Sequence, residues 1–324
     1  RQRQMCIRDR YGLNPNTQYC FRIEDENGNY SEIQQLITLK QPDSAYLFSI
    51  GVFTDNHHTY NELNDNDTGF LYGVPNEMLE GLRYDFTRNS CAFVICKGDI
   101  TDHGYQTEFD DFLVFHSSPG FGQDFYPVIG NHDKKDTYYS TAFNTLTSSG
   151  ATNYSFDYSG WHFIFLDSAK EGTDAGYFEL DTLTFLEQDL ITNQGKNTLI
   201  FLHHLVNPIP GVTDNPYVDA SYTLVENRQA FKDIVADYPD VWIVFSGHAH
   251  LNHVSFDNEI LYVVSGPVIH YPVQYNILHI YENAVVQESR KISGTVSLSE
   301  WSRMKMVNCC LLYTSPSPRD RTRS

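Results

Sequence analysis

The chain has 324 residues, with 41 acidic side chains against 22 lysines and arginines and a formal net charge of −19. Such an acidic protein repels nucleic-acid backbones and anionic membranes, which argues against a nucleic-acid-binding groove. The longest apolar runs are well short of the roughly 20 residues that a membrane-spanning helix needs. The length suits one large domain, or one domain with a small appendage.

The two ends of the chain differ in composition from the sequence between them. Residues 1–10 and 309–324 are short, rich in arginine and without hydrophobic periodicity. One short DNA element, read from both strands, can encode both ends and resembles a sequencing adapter, so we expect neither segment to be native. The alternative is a basic arm and tail that bind anions. The adapter interpretation predicts a fragment cut at both ends, so the lack of a signal peptide is uninformative about localisation.

Residues 11–42 are predicted to form two strands and a linker. The strands, at 18–23 and 33–39, are separated by a turn that contains Asn27 and Gly28. Asn-Gly is a strong hairpin signal, although a two-stranded hairpin is marginally stable by itself. The linker is the step Gln41-Pro42-Asp43.

From residue 43 onward, apolar strands alternate with amphipathic helices. The predicted strands are 45–53, 91–96, 125–129, 153–158, 161–166, 198–202 and 241–245, and the predicted helices are 75–88, 105–116, 136–146, 180–192 and 226–237. Four further strands follow at 254–256, 260–264, 276–281 and 284–288. This order predicts an α/β fold with two mixed sheets flanked by helices.

Five of the predicted strands are followed directly by histidine, aspartate or asparagine. The five blocks are Asp55-Asn56-His57, Gly98-Asp99 with Asp102, Gly130-Asn131-His132-Asp133, His203-His204 and Gly247-His248-Ala249-His250. Because ligands of α/β sheets bind at the carboxyl ends of the strands, we expect the blocks to meet at one rim. Imidazole, carboxylate and amide groups together suit transition metals, and their number exceeds the needs of one ion. The sequence therefore predicts two ions that share a carboxylate, hold an attacking hydroxide and bind a phosphoryl oxygen.

The five blocks, in this order, resemble the calcineurin-like metallophosphoesterase family over about residues 46–291. The resemblance implies a four-layer α-β-β-α sandwich, with the metallophosphoesterase domain at 43–291 and a truncated extension at 292–308. It also implies hydrolysis of a small phosphate mono- or diester by a metal-bound hydroxide, with Mn, Fe or Zn as the metals. The alternative is a non-catalytic, metal-stabilised binding module of a larger secreted protein.

The resemblance also assigns a role to each matching residue. The first metal position has the ligands Asp55, His57 and His250. The second metal position has the ligands Asn131, His203 and His248. Asp99 bridges the two. His132 lies near the scissile ester oxygen, where it stabilises charge or protonates the leaving group, and Asp102 orients that imidazole.

Two pairs of adjacent histidines leave alternatives open. His57 is preferred over His58 because it can face the same side of an extended segment as Asp55. His203 directly follows its strand and is preferred over His204, which stays an alternative ligand. Three histidines are candidates for substrate contacts in the pocket wall, with ordinary polar positions as the alternative: His58, His103 and His204. The others are predicted to be structural: His116, His162, His253, His270 and His279.

A second resemblance concerns the N-terminal hairpin. The phrase Gly12-Leu13-Asn14-Pro15-Asn16-Thr17-Gln18-Tyr19, with the strand that follows, resembles the end of a fibronectin type III-like domain. Such a domain precedes the catalytic domain of purple acid phosphatases, which implies a secreted or periplasmic protein. The chain departs from that branch because a tyrosine ligand is expected where Asp102 stands, so the identity of the metals is open.

Overall fold

The computed structural model describes residues 14, 16–22, 24, 27–38, 40–59, 63–117, 124–147, 150–213 and 222–308. The adapter-like ends, residues 1–10 and 309–324, lie outside the described residues, and their non-native origin stays a prediction. The chain divides into two compact units, Arg1–Tyr46 and Leu47–Ser324.

A short antiparallel hairpin lies in the first unit. Its strands are β1 (Gln18–Phe21) and β2 (Gln34–Ile37), which pair with Gln18 opposite Ile37. Nearly all of the strand side chains are exposed, so the hairpin buries little apolar surface. Its fibronectin type III-like identity, and the export that this implies, stay predictions.

From Tyr46 onward the described residues alternate between strands and helices, as the sequence predicts. The strands are β3 (Tyr46–Phe53), β4 (Phe93–Lys97), β5 (Asp124–Val128), β6 (Tyr154–Tyr158), β7 (Trp161–Phe165), β8 (Asn197–Phe201), β9 (Val241–Ser246), β10 (His253–Asp257), β11 (Ile260–Val264), β12 (Gln274–Tyr281) and β13 (Val285–Lys291). The helices are α1 (Pro75–Arg88), α2 (Gln106–His116), α3 (Tyr139–Leu146), α4 (Leu180–Thr192), α5 (Arg228–Ala236) and α6 (Val296–Asn308), with a 3₁₀ turn at Asp133–Lys135. Within the described ranges, every helix is too short or too polar to cross a bilayer.

The strands form two mixed sheets. One sheet has the order β13-β12-β3-β4-β5, and the other has the order β10-β11-β9-β8-β7-β6. Strands β3, β4 and β5 run parallel, as do β7, β8 and β9. Parallel neighbours end at the same edge of a sheet, so the residues that follow them are brought together.

Three apolar layers separate the sheets and helices. On β4, Phe93 and Ile95 pack between the two sheets, whereas Val94 and Cys96 face helices α1, α2 and α3. Helices α4 and α5 cover the outer face of the other sheet. Successive strand residues point to opposite faces, and both faces are buried, which explains the continuous apolar runs in the sequence. The predicted four-layer α-β-β-α sandwich is confirmed.

Helix α6 lies in the segment for which the sequence predicted only a C-terminal extension. Ser299 and Ser302, three residues apart, are fully buried. Leu298 and Trp301 are only partly buried against the core. Because small hydroxyl side chains occupy buried positions, the apolar periodicity that usually reveals a helix is weak in this segment.

Candidate metal centre

Among the described residues, three groups of side chains at the carboxyl ends of the strands could each hold a metal ion, and two of them share no residue. The group of His57, Asp102 and His132 shares His57 with the first of these two. The first group contains Asp55, His57 and His250. The second group contains Asp99, His203 and His248. In each group the potential ligand atoms lie within 4.8 Å of one another.

Asp99 lies between the two groups. Its Oδ2 is 3.1 Å from Nε2 of His203 and 3.6 Å from Nε2 of His57. Its Oδ1 accepts a hydrogen bond from the backbone N–H of His132 at 2.9 Å. The carboxylate therefore faces one imidazole from each group.

The backbone adopts a left-handed conformation at five of the predicted ligands. These residues and their φ angles are Asp55 at 54°, His57 at 42°, Asp99 at 50°, His248 at 61° and His250 at 54°. Aspartate and histidine tolerate this region better than most residues, but it still costs of the order of 1–3 kcal/mol at each position. Such strain persists where the surrounding structure enforces it, and here it lies at the predicted metal ligands.

Glycine lets two of the blocks approach the centre closely. A Cβ atom on Gly130 would overlap the backbone nitrogen and the carboxylate of Asp99. A Cβ atom on Gly247 would overlap the hydroxyl of Thr54. The glycines that precede Asn131 and His248 are therefore required for packing.

Hydrogen bonds fix which nitrogen two of the imidazoles present to the centre. Nδ1 of His57 donates to Oδ1 of Asp102 at 2.7 Å, and Nδ1 of His203 donates to the backbone oxygen of Lys97 at 2.7 Å. In both rings Nε2 is buried: that of His57 has no hydrogen-bond partner among the described residues, and that of His203 faces Oδ2 of Asp99 at 3.1 Å. A neutral imidazole whose Nδ1–H is engaged presents a lone pair on Nε2, which is the usual arrangement of a histidine that binds metal.

The other two imidazoles are held in a similar way. Nε2 of His248 donates to the backbone oxygen of Tyr222 at 2.8 Å, which leaves Nδ1 to bind a metal. Nδ1 of His250 lies 2.7 Å from Nε2 of His270, and Nε2 of His250 lies 3.2 Å from Oδ1 of Asp55.

The amide of Asn131 is also oriented. Its Nδ2 donates to Oδ1 of Asp174 at 3.1 Å, whereas its buried Oδ1 has no partner among the described residues. Buried polar atoms are nearly always hydrogen-bonded, so the unpartnered lone pairs on His57 and Asn131 indicate a cation-binding site. Imidazole nitrogens, carboxylates and an amide oxygen fit a transition metal.

The charges of the site agree with this donor set. Burial raises the pKa of Asp99, but the facing imidazoles of His203 and His132 outweigh it and hold that pKa well below its usual range. Burial lowers the pKa of His203, but Asp99 and Asp55 outweigh it and raise the pKa to about 9. Asp99 is thus ionised, as a metal ligand must be, whereas His203 is protonated near neutral pH in the metal-free protein and would release its Nε2 proton on binding metal.

Residues 48–252 match the family model of the calcineurin-like phosphoesterases. This chain belongs to that family. The match covers more than half of the chain and contains all five sequence blocks. The prediction of a metallophosphoesterase is confirmed, and the predicted class of phosphoric ester hydrolase agrees with the family.

Curated relatives of this calcineurin-like phosphoesterase are named as phosphodiesterases. A probable cyclic nucleotide phosphodiesterase from Xenorhabdus bovienii is 27% identical over 54% of this chain and 67% of its own length. A 3',5'-cyclic-nucleotide phosphodiesterase from Nostoc is 26% identical over 52% of this chain and 59% of its own length. A glycerophosphodiester phosphodiesterase from Enterobacter lignolyticus is 26% identical over 48% of this chain and 55% of its own length. The chain thus spans between about half and two thirds of these relatives.

Solved structures share the fold. A dimetal phosphatase from Danio rerio is 18% identical, with a TM-score of 0.64 over 76% of this chain and 96% of its own. A purple acid phosphatase from yellow lupin is 16% identical, with a TM-score of 0.55 over 87% of this chain and 58% of its own. At these identities the likeness concerns the fold alone.

In the phosphoesterase, Asp102 contacts both His57 and His132. Nδ1 of His132 donates to the backbone oxygen of Asp102 at 2.6 Å and lies 3.2 Å from the carboxylate oxygen Oδ1 of Asp102. Burial lowers the pKa of His132, but Asp99 and Asp102 outweigh it and raise the pKa to about 8. The sequence predicted that Asp102 orients His132. In the structure the carboxylate of Asp102 lies closer to His57 than to His132.

The three histidines proposed for the pocket wall differ in burial. His58 is fully buried, with Nε2 2.7 Å from Oδ2 of Asp111. His204 is fully buried, with Nδ1 3.1 Å from the hydroxyl of Ser168. The side chain of His103 is 34% exposed. A substrate can therefore reach His103 in this structure, whereas His58 and His204 are shielded from solvent.

The sequence analysis gave no role to Asp133 or Lys97. The carboxylate of Asp133 accepts hydrogen bonds from the backbone N–H of Gly130 and from the backbone and hydroxyl of Thr101, each at 2.9 Å. It thereby joins the loops that carry Asn131 and Asp99. The ammonium of Lys97 donates to the backbone oxygen of Ser246, which connects β4 to β9. Both residues lie within or beside the blocks, but their partners come from other strands, so spacing alone did not reveal them.

Proposed function

We propose that this protein is a dinuclear metal-dependent phosphoesterase, and that its substrates are phosphate diesters. The observation that carries the proposal is the position of Asp99, whose Oδ2 lies 3.1 Å from Nε2 of His203 and 3.6 Å from Nε2 of His57. A carboxylate that faces one ring from each group is placed to bridge two ions.

The proposed ligands are those assigned from the sequence. The first metal position is formed by Asp55, His57 and His250. The second metal position is formed by Asn131, His203 and His248. The ions, which can be Mn, Fe or Zn, would supply an activated water and neutralise negative charge on the phosphoryl group.

His132 is the residue that we propose acts on the leaving group. Because its Nδ1–H donates to the backbone oxygen of Asp102 at 2.6 Å, Nε2 is the nitrogen available to a substrate. In the metal-free protein burial lowers the pKa of this ring, but Asp99 and Asp102 outweigh it and raise the pKa to about 8, which favours a proton on Nε2 near neutral pH. Donation of that proton to the departing oxygen stabilises the leaving group. The ammonium of Lys135 lies 2.8 Å from Nδ1 and 3.3 Å from Nε2 of the same ring, so it adds positive charge beside the ring and partly opposes the rise in its pKa.

The preference for diesters is supported by the curated relatives, whose names are those of cyclic nucleotide and glycerophosphodiester phosphodiesterases. The leaving group of such a diester is an alkoxide, which is strongly basic and needs a proton donor. A protonated His132 meets this need.

The test is a matrix of substrates and metals. The purified chain is stripped with chelator, reconstituted with Mn²⁺, Zn²⁺ or Fe²⁺, and assayed with 3',5'-cyclic AMP, glycerophosphocholine, bis(p-nitrophenyl) phosphate and p-nitrophenyl phosphate. We expect two bound ions per chain and a kcat/KM for at least one diester that exceeds that for the monoester.

Three results would contradict parts of the proposal. Binding of fewer than two ions would overturn the dinuclear centre. A higher kcat/KM for the monoester would overturn the preference for diesters. Two bound ions without turnover of any ester would favour the alternative, a metal-stabilised binding module.

A further inference from the structure

We propose that His270 is a positioning residue of the first metal position, which fixes the orientation of His250, and that helix α6 holds His270 in place through Ser302. The inference rests on the proposed metal binding. His270 and Ser302 both lie beyond residues 48–252, the part of the chain that matches the family.

The hydrogen bonds of His270 determine where its proton lies. The ring is buried, with 4% of its surface exposed. Its Nδ1 lies 2.9 Å from the backbone oxygen of Tyr271. A carbonyl oxygen can only accept, so Nδ1 carries the hydrogen, and Nε2 of the neutral ring is left as an acceptor.

This acceptor determines the tautomer of His250. Nε2 of His270 lies 2.7 Å from Nδ1 of His250, so Nδ1–H of His250 is the donor. The lone pair of His250 is then on Nε2, which lies 3.2 Å from Oδ1 of Asp55 at the first metal position. A histidine that binds metal commonly donates its other N–H to a carboxylate, carbonyl or water, and here a second imidazole takes that part.

Helix α6 supports the turn that carries His270. The hydroxyl of Ser302 accepts from the backbone N–H of Tyr271 at 2.9 Å and donates to the backbone oxygen of Gly69 at 2.6 Å. Phe70, the next residue, packs on the His270 ring with 4.8 Å between centroids. Ser302 thus connects α6 to both segments that enclose His270.

The four imidazoles of the centre differ in how they are held. His57 donates to a carboxylate, whereas His203 and His248 donate to backbone oxygens. The carboxylate accepts a hydrogen bond whenever it is ionised, and a backbone oxygen always accepts one. His250 instead donates to the imidazole of His270, which must itself be oriented in order to accept. The orientation of the His250 ring therefore depends on the residues around His270.

The experiment compares metal affinity among substituted chains. His270→Leu keeps a similar volume without an acceptor, and His270→Gln restores an acceptor through its side-chain carbonyl. His279→Gln is the control, because His279 bonds to Ser49 and Glu288 outside the centre. Bound ions are counted by elemental analysis after dialysis against buffered free Mn²⁺ or Zn²⁺, and thermal unfolding is recorded with chelator and with metal.

We expect His270→Leu to weaken binding of one of the two ions by about 10- to 100-fold and to leave the other in place. His270→Gln should recover most of the affinity, and His279→Gln should equal the wild type. If His270→Leu binds both ions as the wild type does, or if His270→Gln is as weak as His270→Leu, the inference is wrong. A wild type that binds fewer than two ions would instead overturn the dinuclear centre.

A second pair of variants applies if His270→Leu unfolds. Ser302→Ala removes the hydroxyl that holds Tyr271, whereas Ser299→Ala removes an equally buried hydroxyl on the same helix, bonded to the backbone oxygen of Pro272. We expect both to lower the unfolding temperature of the metal-free protein. Only Ser302→Ala should weaken the affinity for one ion. Wild-type metal affinity in Ser302→Ala would contradict the role of α6.

Discussion

Oδ1 of Asp102 accepts a hydrogen bond from Nδ1 of His57 at 2.7 Å, and this bond is shorter than the 3.2 Å that separates the same oxygen from Nδ1 of His132. Asp102 therefore has two contacts of different kinds. Its carboxylate holds a predicted metal ligand, and its backbone oxygen holds the proposed proton donor. Substitution of the side chain removes the contact with His57 and spares the backbone bond to His132, but it also removes the carboxylate that helps to raise the pKa of His132.

The first prediction follows from that difference. Asp102→Ala should weaken the first metal position by about 10- to 100-fold, because His57 loses the acceptor that fixes its tautomer. Asp102→Asn keeps an acceptor oxygen and should lose less. Elemental analysis under buffered free metal measures the affinity. Turnover of Asp102→Ala should rise again at saturating metal, and a variant that binds metal like the wild type would show that Asp102 does not act through His57.

The second prediction concerns His132. His132→Ala should retain both ions and lower kcat by about 10²- to 10⁴-fold on alkyl esters, since general acid catalysis contributes that much. The loss should be smaller on p-nitrophenyl esters, whose leaving group is a weak base. Steady-state kinetics with the two kinds of leaving group make the comparison. An equal loss on both would indicate that His132 stabilises the phosphoryl group and does not protonate the leaving oxygen.

The third prediction tests the close approach of the loops after β4 and β5. Gly130→Ala should displace Asp99, because the added Cβ overlaps its backbone nitrogen and carboxylate. Overpacking of this kind costs about 1–3 kcal/mol of unfolding free energy, and metal binding should be lost with it. Gly160→Ala is the control: φ is +89° there, nothing lies within 4 Å of the new Cβ, and the strain costs about 1–2 kcal/mol.

The two alanine substitutions are therefore expected to cost similar free energies of unfolding, but only the Cβ added at Gly130 contacts Asp99. Urea denaturation in chelator gives the unfolding free energies, and titration with Mn²⁺ gives the affinities. Wild-type affinity in Gly130→Ala would mean that the loops adjust, and the packing explanation would be wrong.

The fold and the position of the centre could be predicted because they follow from periodic patterns. Apolar runs such as β4 mark strands buried on both faces, and the polar residues directly after them must lie at the carboxyl edge. Asp99 and His203 are about a hundred residues apart in the chain and follow strands of different sheets, β4 and β8, so their 3.1 Å contact depends on the packing of the two sheets.

Other features depend on side-chain direction in loops and could not be predicted from the sequence. No periodicity fixes where the carboxylate of Asp102 points once the strand has ended. The left-handed φ of Asp55 or His250 is enforced by surrounding contacts, and residue type tolerates this conformation without requiring it. His270 was predicted to be structural because it lies in no block, and its supporting helix buries Ser302 where an apolar residue would have marked the helix.

The fourth prediction concerns pH and stability away from the centre. His162 is buried on β7, with Nδ1 2.7 Å from Oδ1 of Asp157 and Nε2 2.6 Å from Oδ2 of Asp189. Burial lowers the pKa of His162, but the two carboxylates outweigh it and raise the pKa above 6.5. The folded protein then binds this proton more tightly than the unfolded chain. The resulting stabilisation is complete below pH 6.5 and is lost as the pH rises through the folded-state pKa.

His162→Gln should therefore destabilise the protein most at low pH, and the difference from the wild type should shrink as the solution becomes alkaline. This difference in unfolding free energy is measured by urea denaturation at pH 6 and pH 9. Chelator is present so that the metal centre does not contribute. His279→Gln serves as the control, because the side chain of His279 is only partly buried, with 28% of it exposed. A difference that grows with pH would show that the ring is neutral between its two carboxylates.

The last prediction is that metal stabilises the fold through Asp99. Without ions, the buried Nε2 of His57 has no hydrogen-bond partner among the described residues, and the ionised carboxylates of Asp55 and Asp99 share a small volume. A ligand that binds only the folded state adds about 2.7 kcal/mol at a concentration 100 times its Kd. Chelation should lower the unfolding temperature of the wild type, and added Mn²⁺ or Zn²⁺ should restore it. Asp99→Asn should respond to neither treatment, because the bridging charge serves both positions, whereas His250→Ala should keep a partial response from the second metal position. If Asp99→Asn still binds two ions, the carboxylate does not bridge them, and the two groups of ligands are independent sites that happen to share one rim.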